Sequence, residues 1–408
     1  MKRYLFLIFL ISTNCFGQCF KDQAFNVFFE KKLSLMCSSF PKDILSREVQ
    51  ILASGEFTLW QEDVERIKNL NSLKVMAAEG DRVRIKIVGT ITPSPEFYSV
   101  YMHENVSSID FSQGTFQAHK EIYMQLASSE SLLNDISSIR LASLSIYGNE
   151  KSVLRGKFHQ NVPVSIFNVP ILEKVDIKSK SLTIRNKETG ELINSRIETE
   201  KLNANDLAIR QENTFKVTDS LFLKNFFSNE NVDFDLEASL NALFIENSKT
   251  GFIKPINLKK TAVVSIKESQ LYRLHFSYEA DYLISFKILK TKIQDPFETW
   301  PRMPRLSTLL INNYDLSRMR GSLDVFSNLN LINLNETNLS FLSVNLVEPT
   351  KLENIFLLRN HLEDIEFEEV ENSKKISPLF SMQVDSKRLA TKIQRTLNRR
   401  AVFFRDWF

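Results

Sequence analysis

A repeat of 23 residues in the C-terminal half most constrains how this chain can fold. A spacing close to L-x-x-L-x-L-x-x-N-x-L begins at Leu306, Leu329 and Leu352. Its alternating apolar positions predict a short strand with every second side chain in a core, and the break after them predicts a turn. A unit this short cannot bury its own apolar face, so the copies must stack into a solenoid.

The repeat continues towards the N-terminus in units that begin at Leu283, Thr261 and Leu240. Thr261 is the one exception to apolar character at the first three core positions of these six units. In five of the six units, the ninth position holds a small hydroxyl or amide side chain, which can satisfy backbone groups of a tight turn from inside the stack. The ninth-position residues are Ser248, Ser269, Thr291, Tyr314, Thr337 and Asn360.

The segments KLENIFLLRNHLEDI and NLINLNETNLSFL carry this spacing most clearly, and through them the chain resembles the leucine-rich repeat family over residues 240–366. The resemblance implies an α/β solenoid shaped as a horseshoe, with a parallel concave β-sheet and an irregular convex side. The chain departs from the family pattern at the ninth position, where asparagine occurs only as Asn360 and Tyr314 is bulky. The alternatives are an ordinary domain with evenly spaced strands and a parallel β-helix, whose turns usually carry several strands.

The first 17 residues predict a secretory signal peptide. Basic residues precede a short apolar run, and Cys15 and Gly17 are the small residues of a cleavage site. No later stretch reaches the roughly 20 apolar residues of a membrane span, so we expect a secreted, extracellular protein. Cys19 and Cys37 would remain, and in an oxidising compartment this pair predicts a disulfide that closes an N-terminal cap region over residues 18–75. Two unpaired buried thiols are the alternative.

Residues 76–239 are interpreted as degenerate repeats that precede the clear repeats of residues 240–366. The step of 14 residues from Leu207 to Leu221 is too short for a full unit, which indicates that one of these two strands is misassigned. The apolar pairs with strand spacing are Ile85/Ile87, Ile109/Phe111, Met124/Leu126, Leu144/Ile146, Val164/Ile166, Leu182/Ile184, Leu207/Ile209 and Leu221/Leu223.

Residues 367–408 are interpreted as an acidic linker and a C-terminal helical cap. Ser386 is a suitable helix start, and Leu389, Ile393 and Leu397 follow at four-residue steps on one stripe. This stripe predicts a helix that covers the core of the last repeat. The alternative is a helix that binds a partner or an anionic surface.

The chain contains little that points to catalysis. It has no H-E-x-x-H, C-x-x-C, G-x-S-x-G or glycine-rich phosphate motif. We therefore expect no enzymatic activity, no cofactor and no metal. The formal net charge of +3 gives no global field that would favour nucleic acid.

The most direct functional hypothesis is a secreted protein that binds another protein through its concave sheet. The resemblance implies roles in innate immunity or cell-surface recognition, and soluble insect immune factors belong to this class. A secreted carbohydrate-active enzyme on a parallel β-helix and a structural matrix protein are the alternatives. The expected contact site is an exposed apolar patch formed by Leu310, Leu331, Phe356 and Leu358. The candidate glycosylation sites are Asn105, Asn335 and Asn338.

Overall fold

The computed structural model divides the chain into two compact units, Met1–Arg196 and Ile197–Phe408. Each unit is a parallel β-solenoid in which strands of successive turns pair with one another. The residues that the structure describes are 19–77, 81–91, 99–102, 106–116, 121–126, 130–134, 142–229, 231–236, 240–276, 279–294, 298–347, 351–368, 377, 379–397 and 402–404. The signal peptide predicted over residues 1–17 lies outside these ranges.

The first unit begins with a helix packed against its first strands. Helix α1 (Gln23–Leu33) starts where the Asp22 side chain accepts a hydrogen bond from the amide of Ala24. Its buried face carries Phe25 and Phe29. This apolar face covers the start of the solenoid, as the predicted N-terminal cap requires.

The predicted disulfide is present and closes this cap. The Cα atoms of Cys19 and Cys37 lie 4.8 Å apart, and the two residues flank the helix. Phe20, next to the disulfide, stacks on Phe25 and Phe29 with ring centroids 5.3 and 5.1 Å away. The bond therefore holds an aromatic cluster over the first turn.

Short parallel strands make up most of the first unit. A 3-10 helix spans Cys37–Ser39, and helix α2 spans Gln61–Glu65. The strands are β1 (Ile44–Leu45), β2 (Glu48–Ala53), β3 (Gly55–Trp60), β4 (Ile67–Lys68), β5 (Ser72–Ala77), β6 (Val83–Ile91), β7 (Ser99–Met102), β8 (Val106–Phe116), β9 (Glu121–Gln125), β10 (Glu130–Asn134), β11 (Ser143–Tyr147), β12 (Val153–His159), β13 (Pro163–Phe167) and β14 (Ile171–Ile193).

Two long ladders of parallel strands run through this unit. One ladder joins β3, β6, β8, β10, β12 and the start of β14, and it places Ile85 beside Ile109. The other joins β9, β11, β13 and the middle of β14, and it aligns Met124, Ile146 and Ile166. A turn of the first unit therefore carries two strands rather than the single strand expected from the sequence.

The two ladders explain the uneven steps between the apolar pairs of this region. Ile85 and Ile109 belong to one ladder, whereas Met124 and Leu144 belong to the other. The step from Ile109 to Met124 thus crosses from one face of a turn to another and does not measure a period. Sequence spacing alone could not separate two faces that both bury apolar side chains.

The second unit has a more regular set of strands. Its one helix in the described residues is α3 (Lys387–Leu397). The strands are β15 (Arg196–Arg210), β16 (Thr214–Ser228), β17 (Asp233–Asp235), β18 (Ala242–Glu246), β19 (Lys249–Thr250), β20 (Val263–Lys267), β21 (Gln270–Leu271), β22 (Ser285–Leu289), β23 (Lys292–Ile293), β24 (Thr308–Asn312), β25 (Ser322–Val325), β26 (Leu331–Asn333), β27 (Phe341–Leu346), β28 (Asn354–Leu357), β29 (Asp364–Glu368), β30 (Ser381–Val384) and β31 (Val402–Phe404).

The main ladder of this unit consists of β16, β18, β20, β22, β24, β26, β28, β30 and β31. It buries the inward positions that the 23-residue repeat predicts, and each of them is at most 1% exposed. They are Leu243, Ile245, Val264, Ile266, Phe286, Ile288, Leu309, Ile311, Ile332, Leu334, Ile355 and Leu357. The predicted register of the clear repeats is confirmed.

The short step from Leu207 to Leu221 also has a structural reason. Asp206 has a left-handed backbone (φ 57°), and its carboxylate accepts a hydrogen bond from the Asn225 amide at 2.6 Å. Leu207 therefore follows a corner of the solenoid, whereas Leu221 belongs to the main ladder and precedes one. Both residues lie in strands, β15 and β16, so neither strand is misassigned, and the short step arises because the two residues stand on opposite sides of a corner.

The segments that return between main-ladder strands are more ordered than the expected irregular convex side. Strands β25, β27 and β29 form a parallel sheet in which Leu323, Val344 and Phe367 align. Elsewhere single parallel bridges join the return segments, for example Thr299 to Arg320. The α/β class is corrected to a parallel β-solenoid, because alternating apolar residues in the return segments favour strands and the α-helices of the described residues are α1, α2 and α3.

Helix α3 packs on the end of the second unit. The Ser386 hydroxyl accepts a hydrogen bond from the Leu389 amide at 3.3 Å, so the helix begins where the sequence predicts. Leu389, Ile393 and Leu397 are buried, and the helix contacts β29, β30 and β31. This burial supports the predicted helical cap, while residues 369–376 of the acidic linker lie outside the described part. No helix among the described residues is both long and apolar enough to cross a bilayer.

Candidate functional site

The outward positions of the main ladder form three columns on one face of the second unit. The pairing of successive strands fixes these columns, and every residue in them is at least partly exposed. The first column contains Ala242, Val263, Ser285, Thr308, Leu331, Asn354 and Ser381. The second contains Phe222, Phe244, Ser265, Lys287, Leu310, Asn333, Phe356 and Gln383. The third contains Lys224, Glu246, Lys267, Leu289 and Asn312.

The N-terminal end of this face is charged. Glu246 lies between Lys224 and Lys267, at 3.2 and 3.4 Å from their ammonium groups. Hydrogen bonds from Lys224 and then Lys267 hold the pKa of Glu246 below its usual value. In the neighbouring column Phe222 stacks on Phe244, with ring centroids 4.8 Å apart. The charged and aromatic side chains at this end therefore contact one another.

The middle and C-terminal end of the face carry large apolar side chains. Leu310, Leu331 and Phe356 point outward and are half-buried, as the predicted register requires. Leu289 lies in the same face on the preceding turn, and the alternation of its strand would have identified it. We call Leu289, Leu310, Leu331 and Phe356 the apolar patch. It spans four successive turns.

Leu358 is not part of this patch, and its predicted exposure is wrong. It is only 6% exposed. Strand β28 ends one residue earlier, and the chain turns at Arg359, whose φ is 59°. The Leu358 amide donates to Asn335 Oδ1 at 2.7 Å, and the Asn360 amide donates to Asp385 Oδ2 at 3.1 Å. Leu358 precedes its left-handed corner residue as Leu289 precedes Lys290, so it has an equivalent place in its turn and is buried there all the same.

The candidate glycosylation sites differ in accessibility. Asn335 is half-buried, and its side-chain oxygen is engaged by the amide of Leu358. Asn338 is exposed in the following turn, with a φ of 53°. Asn105 lies outside the described residues. Asn338 is thus the more accessible of the two described sites, and glycan occupancy stays a prediction.

Ninth-position side chains stabilise several of the corners that follow main-ladder strands. Ser269 Oγ accepts a hydrogen bond from the Ser248 amide at 3.2 Å, and Ser248 Oγ accepts one from the Phe226 amide at 3.1 Å. Three turns further on, Asn360 Oδ1 accepts a hydrogen bond from the Thr337 amide at 2.8 Å. The predicted role of the ninth position is confirmed at these turns.

An open groove of about 620 Å³ runs along the outside of the same corner. Lys249, Lys290 and Lys292 line it together with one acidic residue, Glu268. Asn247, Gln270 and Asn313 add neutral amides, and Phe227 adds a partly exposed ring. No motif or repeat position in the sequence points to these residues. We call this feature the corner groove.

The described residues offer no arrangement that would hold a metal ion through three or more His, Cys, Asp or Glu side chains. Burial raises the pKa of Asp63, which lies in helix α2. Its carboxylate accepts hydrogen bonds from the amides of Lys21 and Asp22 at 2.8 and 2.9 Å. Asp63 therefore anchors the start of the N-terminal cap.

Comparison of the chain with protein-family models, with curated proteins and with solved structures finds no match in any of the three. The resemblance to leucine-rich repeats therefore rests on the repeat spacing alone. Functional inference has to begin from the surfaces of the solenoid, because fold by itself does not determine function.

Proposed function

We propose that the chain is an exported recognition protein that binds another protein through the apolar patch of its second unit. The observation that carries this proposal is the outward register of Leu289, Leu310, Leu331 and Phe356 on four successive turns. Contiguous apolar side chains on a soluble surface mark contact sites more often than scattered ones do. The partner would present a complementary apolar surface.

The chemistry around the patch favours a partner with acidic groups beside its apolar surface. Lys287 lies directly before Leu310 in the second column and is half-buried on the same face as the patch. A carboxylate on the partner would meet this ammonium group, which adds specificity and faster association to apolar contact.

A solenoid face suits recognition because it is rigid before binding. Every strand of the patch pairs with a strand on both sides, and Leu310 and Phe356 each lie between two buried neighbours. Little conformational freedom remains to be lost when a partner docks, so more of the contact energy appears as affinity. Aromatic side chains often dominate such contacts, which makes Phe356 the expected anchor.

The extracellular location belongs to this proposal. Disulfides persist in oxidising compartments and are rare in the cytosol, so the Cys19–Cys37 bond supports export. The leucine-rich repeat assignment of residues 240–366, with its horseshoe curvature and its link to innate immunity, is likewise proposed on the repeat spacing. These assignments agree with a protein that recognises other proteins outside the cell.

The alternative scaffold, a parallel β-helix, agrees with the two strands per turn of the first unit. A parallel β-helix by itself favours neither a carbohydrate-active enzyme nor a matrix protein, because each of these functions also needs a suitable site. A general acid in glycoside cleavage needs a raised pKa. Hydrogen bonds to basic partners lower the pKa of Glu173 and of Glu246. We propose recognition because of the apolar patch, and lack of catalytic activity stays a prediction.

The test compares Phe356→Ala with Phe341→Ala. Phe341 is also partly exposed but lies on β27, away from the patch. The full-length mature protein captures partners from the native extracellular fluid, and each captured partner is then titrated against both variants. Loss of an aromatic anchor costs about 2 kcal/mol or more, which is roughly a 30-fold weaker Kd. We expect this loss for Phe356→Ala and an unchanged Kd for Phe341→Ala. Equal affinities for both variants would rule out the patch.

A further inference from the structure

We propose that the corner groove of the second unit binds an acidic polysaccharide that carries one negative charge per two sugar units. The groove lies on the short strands β19, β21 and β23, which follow the main-ladder strands of three successive turns. It does not include any residue of the apolar patch. The proposal is therefore independent of the proposed protein recognition.

The spacing of the lysines defines the charge pattern of the ligand. Lys249 pairs with Gln270 on the next turn, and Gln270 pairs with Lys292 on the turn after that. Adjacent strands are about 4.8 Å apart, so these two lysines lie about 10 Å apart along the groove. A ligand that binds both needs anionic groups at this distance, with a neutral segment beside Gln270. Alternating charged and neutral sugars provide this pattern.

The charge of the groove is positive after internal pairing. Its single acidic residue, Glu268, lies 3.8 Å from Lys290 and 3.9 Å from Lys267. Lys249 is held with its ammonium 5.5 Å from the centre of the Tyr272 ring, which directs it without neutralising it. Lys249 and Lys292 thus provide the cationic positions for a ligand.

The remaining lining suits sugars better than nucleic acid. Asn247, Gln270 and Asn313 place amides along the groove, and amides both donate to and accept from hydroxyl groups. Phe227, which is 38% exposed, pairs with Lys249 and places an apolar ring at one end for the carbon face of a sugar. Duplex nucleic acid carries a phosphate about every 3.4 Å on each strand, which is too dense for this spacing.

The structure also explains why the groove stays open. The ninth-position hydroxyls Ser248, Ser269 and Thr291 point inward and are buried. Each donates a hydrogen bond to the main-chain carbonyl two residues before it, at 2.7, 2.7 and 3.0 Å. The backbone of the corner is therefore fixed from inside, and the outer side chains are left to meet a ligand.

The experiment is a calorimetric titration of the full-length protein with hyaluronate octasaccharide, which has one carboxylate per disaccharide. A neutral chitin oligosaccharide and inorganic polyphosphate serve as comparison ligands. We expect saturable binding of hyaluronate that weakens as salt is added, weaker binding of polyphosphate and no binding of the neutral sugar. Absence of hyaluronate binding would overturn the proposal, as would tighter binding of polyphosphate.

Variants connect the binding to the groove. The double change Lys249→Gln and Lys292→Gln should weaken hyaluronate binding at least about tenfold, which corresponds to about 1.4 kcal/mol. Lys249→Arg with Lys292→Arg should retain it. The matched control, Lys180→Gln with Lys187→Gln, removes two exposed lysines of the first unit and should leave the affinity unchanged. An equal loss in the control would show a diffuse charge effect and would refute a specific groove.

Discussion

At the scale of single residues, five of the corners that follow main-ladder strands combine a strained backbone with a buried hydrogen bond. The outer residue of each corner has a left-handed backbone conformation although it is not glycine, and this conformation costs about 1–2 kcal/mol. These residues are Asn225, Asn247, Glu268, Lys290, Asn313, Glu336 and Arg359. In five of these corners the next residue in the chain, Ser248, Ser269, Thr291, Thr337 or Asn360, points inward and binds backbone groups of its own turn or of the preceding turn. We infer that these hydrogen bonds offset the strain and keep the corners in register.

Ser269→Ala tests this inference. Loss of the hydroxyl removes the acceptor for the buried amide of Ser248, which should lower the free energy of unfolding by about 1–3 kcal/mol. Ser265→Ala is the matched control, because Ser265 is in the same strand region but faces outward. That change should alter stability by less than about 0.5 kcal/mol. Urea unfolding measures the free energy of unfolding of both variants. An equal decrease for the two would contradict a structural role of the ninth position.

The sequence places a residue correctly where its position depends only on neighbours in the same strand, and less well where other turns matter. Leu334 and Phe356 were placed inward and outward correctly, because strict alternation inside a strand assigns each side chain to a face. Leu358 was wrongly predicted to be exposed, because alternation assigns a side chain to a face but does not determine whether its surroundings cover it. Lys249 and Lys292 were missed because their significance depends on pairing between turns, which the repeat spacing does not display.

At the scale of elements, the two ends of the chain are closed by different means. Helix α1 is held over the first turn by the Cys19–Cys37 disulfide and by the stacked rings of Phe20, Phe25 and Phe29. Helix α3 relies on the apolar stripe that ends at Leu397. Both helices were predictable, since a cysteine pair and a four-residue apolar period are local signals. The second strand in each turn of the first unit could not be predicted, because its apolar pairs alternate along the chain with those of the other ladder.

The prediction at the scale of elements concerns the disulfide. The two cysteines are 18 positions apart, and a loop of this length should contribute about 3 kcal/mol by limiting the unfolded chain. Reduction should therefore lower the urea midpoint and loosen α1, as measured by hydrogen exchange of its amides. The same reductant should not affect a Cys19→Ala, Cys37→Ala variant. A midpoint that does not move on reduction would contradict the role of the bond in the cap.

At the scale of the whole molecule, both units follow one construction rule. Each turn buries alternate side chains against the turns before and after it, so stability accumulates through contacts between neighbouring turns. The outward residues are then free to vary, and in the second unit they form the apolar patch and the corner groove. Both proposals therefore depend on the register of the main ladder. A shift by one residue would move every side chain to the other face.

Labelling of single cysteines measures this register most directly. Six variants replace outward and inward neighbours on three successive turns, while Cys19 and Cys37 stay in their disulfide. The outward set is Lys287→Cys, Leu310→Cys and Asn333→Cys, and the inward set is Ile288→Cys, Ile311→Cys and Leu334→Cys. We expect outward thiols to react with a maleimide at rates typical of accessible cysteines, and inward thiols to react only when the turn opens. Equal rates in the two sets, or faster reaction of the inward set, would contradict the solenoid register and both proposed binding surfaces.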